Sequence, residues 1–328
     1  MQDVADAAGL SRALVSLVMR DSPKVSDASR AKVLAAAEQL GYRPNRMASS
    51  LASARTMTLG LVLNDLHNPF FAEVADGVHG AASAAGYRVV LNSAFAQPEG
   101  EAEAVAQFLE YRVDGLILTG PRLSSSQLLD IAAETRLAII GTTVDTDKLD
   151  SVNNDERRGA QLAVDHLVEL GHRDIAHIDG GVGAGAAGRR AGYVDAMKAR
   201  GLGDHVRIVP GDFTEASGIA AVDRLLADDR PLTAVFAAND LEAIGALHRL
   251  DDLGYSIPHD ISVVGYDNVA LAQLRHVALS TVDQPRTLMG QLATRLLLNR
   301  LNEGASAGTH QVLAPTFIAR DTSGPARG

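Results

Sequence analysis

The sequence predicts an N-terminal all-α head followed by a two-lobed α/β core with parallel sheets. Up to residue 44 the chain reads as short helical segments, and from residue 57 short apolar strands alternate with helices in two successive series. The charge changes in the same region. Residues 1–56 hold eight Lys/Arg against five acids, a net charge of +3, whereas the remainder holds 22 against 35, a net charge of −13.

Length and composition narrow the classes of protein. A chain of 328 residues is long enough for two or three domains. It holds no cysteine, which excludes disulfides and thiolate metal sites. No apolar run approaches the length of a membrane span and no charged-then-apolar leader opens the chain, so we expect a cytoplasmic protein without membrane contact. A weakly basic head on an acidic body favours a head that meets phosphate.

Three short helices are predicted in the head. The first, Gln2–Ala8, ends at Gly9, which readily adopts the left-handed conformation of a tight turn. Ser11 is a good N-cap for a second helix, Arg12–Met19, and the segment Ser26–Leu40 predicts a third helix that begins after its serine cap. Two helices joined by a three-residue turn with glycine describe a helix-turn-helix, although a plain three-helix bundle has the same spacing.

The segment Tyr42–Thr56 separates the two parts of the chain. Pro44 can open a helix at its first position, and no helix breaker follows up to Arg55. An isolated helix of three turns is marginal in water. We therefore expect a hinge helix over residues 45–56 that a partner orders, with a plain interdomain linker as the alternative.

The core is predicted to contain two series of elements. In the first, strands 59–63, 88–92, 115–119 and 137–141 alternate with helices 71–85, 101–111 and 127–135. In the second, strands 175–178, 208–209, 234–237 and 261–264 alternate with helices 155–170, 190–200, 215–227 and 240–253, and a last helix covers 285–303. Such alternation implies parallel sheets covered on both faces, one in each lobe. Ligands of open parallel sheets bind beyond the strand carboxyl ends, so the interlobe cleft is the expected pocket.

Several motifs resemble the lactose/galactose-repressor (LacI/GalR) family of bacterial transcriptional regulators. In the head they are Asp3-Val4-Ala5, Ala8–Ala13, Val15-Ser16, Val25-Ser26 and Gly41–Asn45. In the body they are Leu59–Val62, Asn68–Phe71, Asn239-Asp240, Val264–Asp267 and Val282–Pro285. The resemblance spans essentially the whole chain and implies a helix-turn-helix domain over 1–44, a hinge helix over 45–56 and a periplasmic-binding-protein-like core over 57–320. It places lobe 1 at 57–156 and 286–309, lobe 2 at 157–284 and 311–320, and a tail at 321–328.

The resemblance also implies which residues meet DNA. Arg12 and Ala13 open the recognition helix toward base edges, and Arg12 can read guanine bidentately, with a phosphate-facing charge as the alternative. Leu51 matches the family's lever, which is pushed between base steps in the minor groove. The full set of predicted DNA-binding residues is Ser11, Arg12, Ala13, Ser16, Leu17, Asn45, Ala48 and Leu51.

Two residues of the predicted recognition helix depart from the family pattern. Leu14 stands where most members have Thr, and Leu17 stands where most have a DNA-contacting Arg. As i, i+3 neighbours they would form an apolar pair on the DNA-facing side, where thymine methyl groups are the expected partners. We therefore expect a shifted operator preference, with Arg20 recovering a phosphate contact.

Eight residues are predicted to bind an effector: six lie just after strands, and the resemblance to the family implies the other two, Asp155 and Arg189. The eight are Asn68, Phe70, Phe71, Asp155, Arg189, Asn239, Asp267 and Gln284. Aromatic faces combined with a guanidinium, carboxylates and amides suit a polyhydroxylated ligand, so the predicted effector is a sugar. Asn239 and Asp267 could instead be helix caps or turn formers, and Phe70 or Phe71 could belong to the core.

One motif suggests a different function, the binding of a dinucleotide. Residues Gly183–Gly188 spell G-x-G-x-x-G after a strand and before a helix, and Asp212 follows 24 residues later, as a dinucleotide site requires. The strand is predicted to end at Ile178, so four residues would separate it from the motif and the tight phosphate-binding turn would be lost. A small rim over the cleft beside Arg189 is therefore favoured over nicotinamide or flavin binding.

Motifs for catalysis are absent from the sequence. It contains no H-E-x-x-H zinc helix and no G-x-S-x-G nucleophile elbow, and the histidines are scattered. His166 and His172 are expected at the surface or as caps rather than as a metal pair, and His67 is the one histidine expected near a ligand. The prediction is therefore no enzyme, no cofactor and no metal.

The combined prediction is a ligand-responsive repressor that binds a pseudo-palindromic double-stranded DNA operator as a homodimer, with a tetramer as the alternative assembly. A small polar effector, a sugar or a sugar derivative, would occupy the cleft. A solute-binding sugar receptor shares the two-lobed body, but it predicts an export signal and no basic head. A dinucleotide-dependent enzyme rests on the glycine motif alone.

Overall fold

The computed structural model describes residues 1–19, 22–42, 55–94, 97–304 and 307–327. The chain divides into two compact units, Met1–Thr56 and Met57–Gly328. All but the last two residues of the predicted hinge helix, including Asn45, Ala48 and Leu51, lie outside the described residues, as does Arg20. Those assignments stay predictions. Among the described helices, none is both long and apolar enough to cross a membrane.

The N-terminal unit contains three helices, α1 (Gln2–Ala8), α2 (Arg12–Met19) and α3 (Asp27–Gln39). Gly9 ends α1 in the left-handed conformation, with a φ of 64°. The hydroxyl of Ser11 accepts a hydrogen bond from Leu14 N at 3.2 Å, and that of Ser26 accepts one from Ser29 N at 3.3 Å. Both predicted serine caps therefore form, and the predicted helices are confirmed to within a residue.

The core of this unit is built from valines and small residues of the three helices. Val4, Val15 and Val33 are fully buried, and Val18 is nearly so. Met19, at the end of α2, is half-buried. Leu14 and Leu17 are half-buried as well and pack against the same core.

The second unit contains twelve strands and eight α-helices in its described residues. The strands are β1 (Thr58–Leu63), β2 (Arg88–Ser93), β3 (Gly115–Thr119), β4 (Arg136–Ile140), β5 (Asp150–Asn154), β6 (Ile175–Ile178), β7 (Arg207–Val209), β8 (Ala234–Ala237), β9 (Ser262–Asp267), β10 (Ser280–Asp283), β11 (His310–Leu313) and β12 (Thr316–Ile318). The helices are α4 (Pro69–Ala84), α5 (Pro98–Glu110), α6 (Ser125–Glu134), α7 (Glu156–Glu169), α8 (Ala186–Ala199), α9 (Glu215–Leu226), α10 (Asp240–Asp252) and α11 (Arg286–Glu303). Most bounds agree with the predicted elements, but α8 begins four residues earlier than predicted, and β5, β10, β11 and β12 were not among the predicted strands.

The strands form two six-stranded sheets, as the two predicted lobes require. The first has the order β11-β5-β4-β3-β1-β2 and is parallel throughout. The second has the order β12-β10-β9-β8-β6-β7, parallel except for the edge pair β10–β12. Apolar side chains cover both faces of each sheet; along β1, Leu61 faces one cluster and Val62 the other. The two-lobed parallel fold is confirmed.

The chain passes between the sheets three times. It crosses after β5, after β10 and between β11 and β12. The first two crossings lie where they were expected. The third lies at residues 314–315, so β11 belongs to the first sheet although residues 311–313 were assigned to the second lobe. The predicted tail is also part of the second lobe, because Val263 N donates to Thr322 O at 2.7 Å and Ala326 N to Leu170 O at 2.9 Å.

Helices α4 and α11 cross at two glycines. A Cβ at Gly77 would lie 2.1 Å from Thr287 O, and a Cβ at Gly290 would lie 2.2 Å from Val74 O. Only glycine allows the two backbones to come this close. Residues from both helices therefore share the core of the first lobe, where Val78 and Leu297 are fully buried.

Candidate functional site

A cavity of about 480 Å³ lies between the loops at the carboxyl ends of the two sheets. From the first sheet it is lined by residues that follow β1, β3 and β4, and from the second by residues that follow or end β6, β7, β9 and β10. Its volume is in the range of small-molecule sites. The cavity is therefore where the strand-end rule placed the pocket.

Six of the eight predicted effector residues line this cavity. They are Asn68, Phe70, Phe71, Arg189, Asp267 and Gln284. The other two, Asp155 and Asn239, are N-caps. Asp155 is exposed and accepts a hydrogen bond from Arg158 N at 3.0 Å, and the neighbouring Glu156 lines the cavity in its place.

Asn239 supports the wall without lining it. Its side chain accepts a hydrogen bond from Glu242 N at 2.9 Å and donates one to Phe213 O at 3.0 Å. Phe213 is a cavity residue that the sequence analysis missed. Its backbone lies in the left-handed region, with a φ of 70°, so the ring reaches its position through an uncommon loop conformation.

Aromatic rings form the apolar part of the wall. Asn68 caps α4 by accepting a hydrogen bond from Phe70 N at 3.0 Å, which fixes the start of the helix that carries both phenylalanines. The rings of Phe70 and Phe71 meet edge to face, with centroids 5.2 Å apart and planes at 88°. Phe71 also belongs to the core of the first lobe, so the core alternative and the cavity assignment both apply to it.

Arg189 is the central polar residue of the second-lobe wall. Its guanidinium donates through Nε to Glu156 at 2.8 Å and through Nη1 to Ala238 O at 2.5 Å, and Nη1 lies 3.5 Å from Asp267. The group stacks on the Tyr266 ring, 3.8 Å from its centroid. Burial opposes the charge, but the carboxylates of Glu156 and Asp267 outweigh it and raise the Arg189 pKa. The side chain is therefore a fixed cation.

Asp267 sits on a strained backbone at the end of β9. Its φ is 111° and that of Asn268 is 56°, both in the region that favours glycine. Burial raises the Asp267 pKa to about 6, against the opposing effects of Arg189 and of the hydrogen bond from Gln284 Nε2, which is 2.6 Å long. Asp267 and Gln284, both predicted ligand residues, thus hold each other in place. The strained backbone of Asp267 lies at the wall of the cavity.

The G-x-G-x-x-G motif is explained by packing. A Cβ at Gly183 would lie 2.4 Å from the Phe213 ring, and a Cβ at Gly188 would lie 2.7 Å from Glu156 Cβ. Gly185 has a φ of 84° and caps α8. Strand β6 ends at Ile178, as predicted. The glycines therefore make room for the Phe213 ring and the Glu156 side chain, and residues 180–184 line the cavity as the predicted rim.

Several other polar residues of the cavity were also missed. Asn64 and Asp65 directly follow β1, so the strand-end rule could have found them. Asn64 Nδ2 donates to Gly120 O at 2.9 Å, whereas its Oδ1 is buried with no hydrogen-bond partner among the described residues. Arg122, after β3, and Asp212, after β7, line the cavity from opposite lobes.

The histidines lie away from the cavity. His67 is bonded to Asp65 at 3.0 Å, and its side chain is 83% exposed and does not line the wall. His166 bonds Ser323 at 2.8 Å and His172 bonds Gly324 O at 3.0 Å. These two histidines hold the C-terminal segment against the second lobe through their side chains. His172 is buried and neither side chain bonds a helix end in these contacts, so the expected surface or capping role is wrong for His172.

The head presents the start of α2 to solvent. Ser11, Arg12 and Ala13 are exposed, whereas Ser16 is half-buried. Leu14 and Leu17 contact the valine core of the head, so part of their apolar surface is already covered. The predicted apolar pair is therefore smaller than the sequence suggested, because the short helices need these leucines for their own packing.

A helix-turn-helix head in one chain with a two-sheet ligand cleft defines the class of ligand-binding transcriptional regulators. Residues 1–45 match the family described as bacterial regulatory proteins, lacI family, and residues 164–323 match the periplasmic binding protein-like domain. Catabolite control protein A of Priestia megaterium is 34% identical over 307 residues, 92% of each chain. The transcriptional repressor PurR of Erwinia tasmaniensis is 34% identical over 325 residues, 98% of this chain and 95% of its own. The chain belongs to the lacI family.

Solved structures agree over nearly the full length. The lac repressor dimer bound to operator and the anti-inducer ONPF has a TM-score of 0.88 at 29% identity, covering 98% of both chains. A complex of the transcriptional regulator CelR with cellobiose has a TM-score of 0.74 at 32% identity, again covering 98% of both. The predicted family and fold class are thereby confirmed.

Proposed function

We propose that this chain is a transcriptional repressor that binds a pseudo-palindromic operator as a homodimer and holds a small polar effector in its cleft. The observation that carries the proposal is the combination of an exposed recognition-helix start with a cavity of about 480 Å³ built from both sheets. The lac repressor structure, a dimer on its operator, supports this arrangement. An effector that favours one arrangement of the two lobes would change operator affinity.

In the proposed DNA complex the start of α2 reads the operator. Arg12 and Ala13 are exposed where a recognition helix meets base edges, and Ser11 caps that end. Leu51 would enter the minor groove from the hinge, with Asn45 and Ala48 beside it. Two heads related by a two-fold axis would then read two half-sites.

The proposed effector is of the sugar class. Phe70 and Phe213 offer apolar faces, and Asn64, Arg189, Asp267 and Gln284 offer fixed donors and acceptors. Such a mixture covers the C–H faces of a sugar ring and bonds its hydroxyls. The CelR structure, which holds cellobiose, supports this class.

A polar chain joins the cleft to a point where the backbone crosses between lobes. Next to Asp267, Asn268 Nδ2 donates to Asp283 at 2.7 Å, and Asp283 lies 3.4 Å from Arg286. Arg286 in turn donates to Glu73 of the first lobe at 2.9 Å. A ligand that shifts Asp267 would therefore bias the relative position of the two sheets, and we propose that the hinge carries this bias to the DNA.

The test is DNA binding by the full chain. Selection from random palindromic DNA should yield an operator whose binding weakens steeply with salt, because each phosphate contact releases counterions. Leu51→Ala should still dimerise yet lose operator affinity. An unchanged operator affinity for Leu51→Ala would refute the proposal that Leu51 inserts between base steps. The absence of salt-sensitive DNA binding would favour a sugar receptor instead.

Leu17→Arg tests the base contacts of the head separately. The substitution restores the side chain that most family members carry, so selection should return a different preferred half-site. Leu34→Arg, which adds the same side chain at an exposed leucine of α3 that is not among the predicted DNA-binding residues, is the matched control and should keep the wild-type half-site. If Leu17→Arg selects the same sequence as the wild type, Leu17 does not contribute to operator choice.

A further inference from the structure

The charged groups of the cavity wall are mostly acidic. Four carboxylates and two guanidiniums line it, namely those of Asp65, Glu156, Asp212, Asp267, Arg122 and Arg189. A ligand that enters this cavity meets more negative than positive charge. An anionic ligand would therefore need a cation that is not already paired within the protein.

Both cations face carboxylates of the wall. Arg189 contacts Glu156 at 2.8 Å and Asp267 at 3.5 Å, so its charge is neutralised from two sides. Arg122 acts on Asp212 across the cleft: partial burial opposes the negative charge of Asp212, but hydrogen bonds from Thr214 and Ser217 and the charge of Arg122 lower its pKa. Each guanidinium therefore already interacts with a carboxylate of the wall, which would compete with an anionic ligand.

Glu156 also occupies the place where a helix could bind an anion. A glycine-rich loop that opens a helix presents backbone N–H groups and a positive dipole end. Here a Cβ at Gly185, the cap of α8, would lie 3.0 Å from Glu156 Oε1, and the first turn of α8 packs on the same side chain at Gly188. The Glu156 carboxylate therefore lies beside the first turn of α8 and puts a negative charge at the helix end that would otherwise attract an anion.

We propose that Glu156 is a specificity-determining residue that reserves the cleft for uncharged polyhydroxyl ligands and rejects phosphorylated ones. This rests on the proposed function in one respect, namely that the cleft holds a sugar-class effector. A phosphate group carries nearly two negative charges at neutral pH. Placed beside Glu156 and Asp267, it would be repelled, and it would have to displace Glu156 from Arg189 in order to bind.

The experiment compares phosphate binding by the wild type, Glu156→Ala and Glu156→Gln. Thermal unfolding is followed with inorganic phosphate or glucose 6-phosphate against sodium chloride of equal ionic strength, and with glucose and cellobiose as neutral probes. Removing the carboxylate frees Arg189 and the start of α8, so both variants should bind phosphate about tenfold more tightly than the wild type. Glu169→Ala, an exposed glutamate at the other end of α7, is the matched control and should behave as the wild type.

The outcomes separate this proposal from the broader one. If the wild type is stabilised by phosphate or glucose 6-phosphate as strongly as Glu156→Ala, the exclusion is refuted. It is also refuted if both variants fold, as judged by circular dichroism, and neither gains phosphate affinity. Failure of every neutral sugar to stabilise the wild type would count against the sugar class, whereas the phosphate comparison would still decide the role of Glu156.

Discussion

Replacing Glu242 by Gln tests how the cleft loop is held. Glu242 lies at the first turn of α10 and is fully buried. Its Oε1 accepts hydrogen bonds from Phe213 N at 2.7 Å and Ser217 Oγ at 3.1 Å, and its Oε2 accepts one from Ala238 N at 3.2 Å. Three donors favour a charged carboxylate, but burial outweighs them and raises the Glu242 pKa to about 8.

The raised pKa fixes the sign of a pH effect on the free energy of unfolding. The folded state holds the Glu242 proton up to about pH 8, whereas the unfolded state releases it near the ordinary value of 4.5. Between these values the folded state binds more protons, so stability is greatest at low pH and falls as pH rises. At about 1.4 kcal/mol for each pH unit, the loss over the whole window amounts to at most about 5 kcal/mol.

Glu242→Gln removes this titration and adds a fixed cost. Both oxygens of the protonated Glu242 side chain can still accept a hydrogen bond, whereas the amide nitrogen of Gln cannot. Gln would therefore leave one of the present donors without its acceptor, a mismatch that costs about 1–3 kcal/mol. At about pH 5 the variant should therefore be less stable than the wild type, and at about pH 8.5 the difference should vanish or change sign. Buried acids such as Asp240 and Asp267 titrate in both proteins, so the difference isolates Glu242.

Urea unfolding followed by circular dichroism measures this difference at each pH. Glu103→Gln, a change at an exposed glutamate of α5, serves as the control and should show no pH-dependent difference. A constant gap between the wild type and Glu242→Gln from about pH 5 to pH 8.5 would refute the reasoning, because it would mean that Glu242 titrates alike in the folded and unfolded states.

Two further substitutions probe close packing and buried charge. Gly183→Ala places a methyl group 2.4 Å from the Phe213 ring, so it should lower the free energy of unfolding by about 1–3 kcal/mol and weaken effector binding. Gly80→Ala, whose methyl group meets no atom within 4 Å, is the control and should be neutral or stabilising in the same urea assay. Arg300→Met leaves Asp150 buried without the partner it now contacts at 2.9 and 3.1 Å, so a loss of about 3–5 kcal/mol is expected. Adding Asp150→Leu should recover part of that loss, and a double variant no more stable than Arg300→Met would contradict this account.

The regular elements of the fold could be predicted because apolar runs and caps mark them. Strands β3, β6 and β8 have the predicted bounds. Strand β5 escaped prediction, since Asp150–Asn154 contains a single apolar residue yet is fully buried. Its polar ends have partners distant in sequence: Asp150 pairs with Arg300, and Asn154 donates through Nδ2 to Tyr266 at 2.7 Å, although Asn154 Oδ1 has no hydrogen-bond partner among the described residues. No local pattern reveals such partners.

Cleft residues that directly follow strands could be predicted from the sequence. Prediction was less successful where a shift of one residue decides which side chain points into the cavity. Asp155 and Glu156 are adjacent acids, and only the start of α7 turns the second toward the cavity while the first caps the helix. Phe213 occupies a loop whose shape depends on the hydrogen bond that Phe213 N donates to Glu242 and on the one that Phe213 O accepts from Asn239. These positions are set by tertiary contacts, so sequence spacing alone could not assign them.

The threefold crossing between lobes has a consequence for synthesis on the ribosome. The first lobe draws strands β1 to β5 from the early part of the chain, but its covering helix α11 and edge strand β11 emerge about 130 residues later. At about 5–20 residues per second, that delay lasts on the order of 10 s. During this interval Val78 and its neighbours lack the α11 side chains that bury them in the finished protein. The nascent first lobe therefore has an exposed apolar face until the second lobe has been made, and chains halted before residue 286 should be prone to aggregation.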